Sequence, residues 1–92
     1  MVPIHPGRIL KRELMARSLS ANKLALALQV SSGRITAILN KERGITADTA
    51  LRLGRYFGTS AQFWMTLQSQ YDLAITEQKI GAIIARQIQK AS

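Results

Sequence analysis

Ninety-two residues suit one small domain, and the absence of cysteine excludes disulfides, thiolate zinc sites and cysteine nucleophiles. The formal net charge of +8 is uneven: residues 1–58 hold ten Lys/Arg against three acids, whereas residues 59–92 carry only +1. A basic region of this kind is the electrostatic footprint of nucleic-acid binding, although a merely well-solvated surface has the same count. The N-terminus MVPIHPGRIL lacks a long apolar core, and runs such as LALAL and IGAIIA fall far short of the roughly 20 residues of a membrane span. A soluble, cytoplasmic chain with no membrane partner is expected.

Apolar residues recur at helical spacing from end to end, with no alternating strand pattern in competition, so the fold class is all-α with five or six helices. Pro6 can open a first helix, since its missing N–H costs nothing there, with Ile9, Leu10 and Leu14 on one face. His5, just before it, reads as a capping or surface residue. Ser20 is a good N-cap for a second helix with Leu24, Ala25 and Leu28 inward. After a break at Gln29-Val30, Ser31 can cap a third helix with Ile35, Ile38 and Leu39 inward, and Gly44 is expected to end that segment. Thr46 caps a fourth helix, with Asp48 near its positive end and a buried stripe of Ala50, Leu53, Gly54 and Phe57, and Gly58 supplies the stop. Thr59 with Gln62 reads as a capping box for a fifth helix carrying Phe63, Trp64, Leu67 and Tyr71. A last stripe of Ile80, Ile83, Ile84 and Ile88 continues it or forms a sixth.

Two short helices joined by a tight turn within a basic chain point to a helix-turn-helix. Ala25 is small where the two helices must approach, and Val30 and Ile35 pin the turn and the second helix to the core. The turn position that favours glycine holds Gln29, which costs about 1 kcal/mol relative to glycine if its φ is positive. With Ile35, Ile38 and Leu39 inward, the opposite face of the third helix carries Gly33, Ala37 and Asn40, flanked by Ser32, Arg34, Thr36 and Lys41. Small central residues let such a helix lie deep in a major groove, and its Ser31-Ser32 end offers backbone N–H groups to a phosphate. Arg34 is the best candidate for bidentate contact to guanine, and Thr36 or Ala37 for a thymine methyl. Asn40, Lys41 and Arg43 suit the DNA backbone. The same Arg34 could instead pair with Glu42 or Asp48, or stand solvated.

The run NKERGITADTALRLGRYFGTSAQFWMTLQSQYDL, residues 40–73, with HPGRIL at 5–10 and LALALQVSSGRI between, resembles the HigA/VapI antitoxins of the XRE-type helix-turn-helix superfamily. The resemblance covers roughly residues 4–75, and the RGITADTALRL and FW..LQ..YDL blocks are its most specific parts. It implies a lambda-repressor-like helix-turn-helix domain over 1–75; the residues from about 76 onward match no part of the family pattern, and their isoleucine spacing reads as a helical extension over 76–92. It also implies an autorepressor that binds a palindromic operator in double-stranded DNA and neutralises a RelE-like, HigB-type mRNA endonuclease. Ser32, Gly33, Arg34 and Ala37 match the superfamily's base-reading positions, and Arg43 matches an arginine near the DNA backbone. Ala21 stands where glutamine is frequent, and Lys41 where glycine is.

Other classes have less support. One histidine and five scattered carboxylates offer no nucleophile, base and orienter, nor metal-ligand spacing, so neither catalysis nor a metal or cofactor is expected. Phe63 and Trp64 suggest base stacking, yet aromatics on an apolar helical stripe usually belong to the core. A stand-alone regulator without a toxin is the principal rival, because a +8 chain repels a basic partner unless the interface is apolar or uses local acids. The isoleucine stripe either packs back on the core or meets a second copy. A homodimer through Ile80, Ile83, Ile84 and Ile88, with Tyr71 next in line, fits the low charge of that third of the chain.

Overall fold

The structure, a computed structural model, describes residues 2–91. It contains five helices among those residues: α1 (Pro6–Ala16), α2 (Ala21–Leu28), α3 (Ser32–Leu39), α4 (Ala47–Phe57) and α5 (Ala61–Gln87). Each start has a local cause. Serine hydroxyls cap three of them, Ser20 Oγ accepting from Lys23 N–H, Ser31 Oγ from Arg34 N–H and Ser60 Oγ from Phe63 N–H. Thr46 caps α4, where Asp48 lies in the first turn and Arg55 in the last, both signs complementing the helix dipole. Gly58 ends α4 with φ +75°, a left-handed backbone that glycine adopts without strain.

Two expectations about where helices start and stop need correction. The fifth helix is capped by Ser60, not by a Thr59/Gln62 box; the Thr59 hydroxyl is instead taken by Trp64 Nε1, which donates to it at 2.9 Å. Gly44 does not end the third helix, which stops at Leu39, with Asn40 as its C-cap and Lys41 at φ +64°. Gly44 is needed for a different reason. Its missing side chain makes room for Gln68 of α5, whose Oε1 accepts from Ile45 N–H at 2.7 Å, and an added Cβ would lie 2.8 Å from that oxygen.

Leu10 and Leu14 of α1, Leu24, Ala25 and Leu28 of α2, Ile35 and Ile38 of α3, Ala50 and Leu53 of α4, Trp64 of α5 and Ile45 between elements form one core. Ile9, Leu39 and Phe57, expected inside, pack at its edge and are partly exposed. Gly7 sets how closely α1 approaches α3, because a Cβ there would fall 2.0 Å from the Ile38 carbonyl oxygen. His5 both caps and packs. Its Nδ1 accepts from Gly7 N–H at 2.9 Å and its ring meets Tyr71 edge-on at 4.8 Å. Burial pushes the His5 pKa below its ordinary value, with the Lys41 charge adding to the shift and Asp72 opposing it. The neutral ring is the form that can accept the Gly7 bond.

The isoleucine stripe does not begin a sixth helix. α5 runs unbroken for 27 residues, about 40 Å at 1.5 Å per residue, straight through position 75. Trp64 is its only buried residue, and its distal half stands clear of the core. Among the described residues no helix is long and apolar enough to cross a membrane.

Candidate nucleic-acid interface

The α2–turn–α3 unit has helix-turn-helix geometry with residue-level causes. Gln29 has φ 58° and ψ 45°, the left-handed conformation that its turn position demands. Val30 N–H donates back to the Ala25 carbonyl at 3.0 Å, closing the end of α2. Ala25, Leu28, Ile35 and Ile38 are buried, so the inward side of α3 is fixed and its opposite side must face solvent. Ser31, Ser32, Gly33 and Thr36 lie exposed on that side, with Ala37 half-buried beside them. Asn40, Lys41 and Arg43 are exposed where the chain leaves the helix. The candidate DNA-reading and DNA-backbone residues thus form one surface along α3 and the loop after it.

Gly33 is informative within that surface. A Cβ built on it meets nothing within 4 Å, and its backbone is ordinary helix. Neither packing nor a positive φ explains glycine at this position. A glycine on an exposed helix side leaves room for another surface to approach the backbone.

Arg34 is not free. Its Nη1 donates to Asp48 Oδ2 at 2.5 Å and lies 3.5 Å from Thr49 Oγ1. Of the two acids within sequence reach, Asp48 is the one it takes. The same Oδ2 accepts from Arg52 Nε at 3.0 Å, and Arg52 Nη1 donates to the Leu28 carbonyl at 2.8 Å, at the end of α2. The hydrogen bonds from Arg34 and then Arg52 hold the Asp48 carboxyl below the usual carboxylate range. Asp48 and Arg52 were not among the expected interface residues. Their i,i+4 spacing hints at a pair, but no sequence signal points from Arg52 to a carbonyl on another helix. Arg8, Lys11, Arg12, Lys23, Lys41, Arg43 and Arg55 make no ion pair among the described residues and are exposed, so most of the basic charge is available to a polyanion.

The helix-turn-helix family signature matches residues 10–64. The chain is 57% identical over 79 residues to virulence-associated protein I of Dichelobacter nodosus, covering 85% of this chain and 73% of that protein. It superimposes with a TM-score of 0.96 on an addiction module antidote protein of the HigA family from Coxiella burnetii, at 48% identity over 99% of this chain and all of the other. The chain belongs to the HigA/VapI family of helix-turn-helix antitoxins. Pseudomonas aeruginosa antitoxin HigA, solved with the higBA promoter, is equally similar, with 50% identity, a TM-score of 0.96 and coverage of 99% and 100%.

The family pattern clarifies one departure. Lys41, a place where the family resemblance leads one to expect glycine, has a φ of +64°, the left-handed region that glycine adopts without strain. Lysine there accepts backbone strain and adds a cation just beyond α3. The proposed dimer residues divide into two groups. Ile80, Ile83 and Ile84 share one side of α5 and are 42%, 43% and 40% exposed, whereas Ile88 lies just past the helix end. Tyr71 falls about 180° around the helix from Ile80 at 100° per residue. It packs on His5 of its own chain and lines a groove with Val2, Ile4, Ile9 and Leu67, away from the stripe. Phe63 is half-exposed with its ring edge-on to Trp64 at 5.2 Å, and Trp64 is core.

Proposed function

We propose that this chain is a sequence-specific repressor of its own toxin-antitoxin operon and that it also neutralises a RelE-like mRNA endonuclease. Ser32, Gly33, Arg34, Thr36 and Ala37 read bases, and Ser31, Asn40, Lys41 and Arg43 contact the DNA backbone. The observation that carries the DNA reading is Gly33, a glycine on the exposed side of α3 with open space where a Cβ would be. A relative whose sequence is half identical, antitoxin HigA of Pseudomonas aeruginosa, was solved with the higBA promoter, in support of the same reading.

Gly33→Ala separates fold from function. Alanine relieves the unfolded-state entropy of glycine, so the variant should be more stable by about 0.4–1 kcal/mol. The added methyl stands where a groove floor would approach, and affinity for the operator should fall about tenfold, the scale of one spoiled base contact. Thermal melts and a titration on the chain's own upstream duplex measure both. Unchanged operator affinity would move the reading surface off α3.

The repressor acts as a homodimer through the distal half of α5. Ile80, Ile83 and Ile84 form an apolar side that its own core leaves uncovered, on the part of the chain with little net charge. Two copies would present two recognition helices about 34 Å apart to a palindromic site. Truncation after Glu77 should leave a folded monomer with weak, single half-site binding, as read by sedimentation and by titration of one-site and two-site duplexes. A truncated chain that stays dimeric moves the interface to Tyr71 and the proximal half of α5.

Toxin neutralisation is tested by co-expression with the neighbouring reading frame for a small basic protein. Growth rescue together with co-purification supports it. An isolated gene, or rescue without a complex, favours the stand-alone regulator.

A further inference from the structure

Asp48 joins three elements of the reading head. It belongs to the first turn of α4, its carboxylate accepts from Arg34 of α3, and through Arg52 it is tied to the Leu28 carbonyl at the end of α2. Both helices of the helix-turn-helix are therefore referenced to one oxygen atom. Arg34 is engaged at one end only. Nη1 holds Asp48 and approaches Thr49, while Nε and Nη2 make no hydrogen bond among the described residues, and the side chain remains one-quarter exposed.

A guanidinium is a rigid fork of five donors on a flexible stem. Left unanchored at the edge of a recognition helix, it settles on the nearest phosphate, a contact without sequence information. Anchored at Nη1, it keeps its Nη2/Nε edge at a defined point, and a paired edge is what guanine O6 and N7 accept. The carboxylate adds a second effect, because an ionised acid beside the reading surface repels phosphates that approach in a wrong register. The Arg34 and then the Arg52 hydrogen bonds favour its charged form.

We propose that Asp48 is a specificity-determining positioning residue, which holds Arg34 for base reading and prevents it from serving as a general phosphate contact. Asp48 itself touches no base; it acts through Arg34. This rests on the DNA-reading function proposed above.

The test uses the full chain and a randomised duplex library of about 25 base pairs, long enough for two half-sites one helical turn apart. Unmodified protein, Asp48→Ala, Asp48→Asn, Arg34→Ala and the Arg34→Ala/Asp48→Ala double variant each select from it. Each is then titrated on the duplex preferred by the unmodified protein and on a scrambled duplex of the same composition. Asp48→Ala should keep or raise affinity for the scrambled duplex while the preferred-to-scrambled ratio falls about tenfold, within the range of one bidentate contact. Base preference should disappear at the position that Arg34→Ala also erases, and the double variant should be no less selective than Arg34→Ala alone. Asp48→Asn, which keeps the shape and an acceptor oxygen, should lose less selectivity than Asp48→Ala. Melting temperatures identify a variant that fails to fold, in which case Asp48→Asn decides: loss of preference at the Arg34 position supports the proposal, and an unchanged preference overturns it. Equal losses on both duplexes, or additive effects in the double variant, also overturn it. If the unmodified protein itself prefers no sequence, the DNA reading fails first. If it selects a site and Asp48→Ala selects the same site as sharply, only the role of Asp48 falls.

Discussion

Trp64→Ala is expected to destabilise the domain by about 3–5 kcal/mol, the usual cost of removing a fully buried aromatic. Trp64 has 0% exposure, lies between Phe57 at 6.1 Å and Phe63 at 5.2 Å, and its indole N–H is satisfied by Thr59. It is the only buried residue of α5, whose attachment it shares with Ala61, Met65 and Leu67 packed at the edge of the core, the Gln68 bond to Ile45 N–H and the Tyr71 contact with His5. Small domains hold only about 5–15 kcal/mol in total, so the loss is a large share of the stability. Each kcal/mol moves the melting temperature of a domain this size by about 4–8 °C, and the midpoint should drop by tens of degrees at fixed protein concentration. Trp64→Phe keeps the ring burial and loses the hydrogen bond to Thr59, and should fall between the two. An unchanged midpoint for Trp64→Ala would place the ring outside the core.

The second large effect is ionic strength. Seven exposed Lys/Arg of residues 1–58 have no ion-pair partner among the described residues, and the dimer proposed above would present two such sets. With about six to ten phosphates neutralised per dimer, operator affinity should fall about 10³–10⁵-fold between roughly 50 and 200 mM salt. A logarithmic plot of affinity against salt should be linear, and Lys41→Ala, which removes one lysine from each copy, should flatten it by about two units per dimer while weakening all sequences alike. An affinity insensitive to salt would remove the electrostatic basis of DNA binding.

How much of the site was legible depends on the range of the interactions that build it. Ser20, Ser31 and Thr46 cap the helices they were expected to cap, because a hydroxyl three residues from the N–H it accepts is a local fact. The mistaken box at Thr59 shows where that logic stops. Thr59 and Ser60 are both good caps; Ser60 takes the role, while the Thr59 hydroxyl accepts from the Trp64 indole N–H, a partner that a capping rule does not consider. Gly44 read as a helix stop because glycine commonly is one, yet it answers to Gln68, 24 positions later.

The sequence by itself determined the all-α class, the helix-turn-helix, the central core residues of each helix such as Leu10, Leu24, Ile35, Leu53 and Trp64, and the concentration of charge on the first two-thirds of the chain. Each of these follows from spacing along one helix or from composition, which the linear order of residues contains in full. Only the tertiary structure decided that α5 is continuous with its isoleucines uncovered, that Tyr71 lies on the other side of that helix, and that Arg34 is held by Asp48 rather than by Glu42. Pairing between helices depends on their relative placement, and that placement is set by close approaches such as Gly7 against the Ile38 carbonyl and by the seat of Trp64. Residues distant in sequence become neighbours only after the core has closed, and the reading head is assembled from such neighbours.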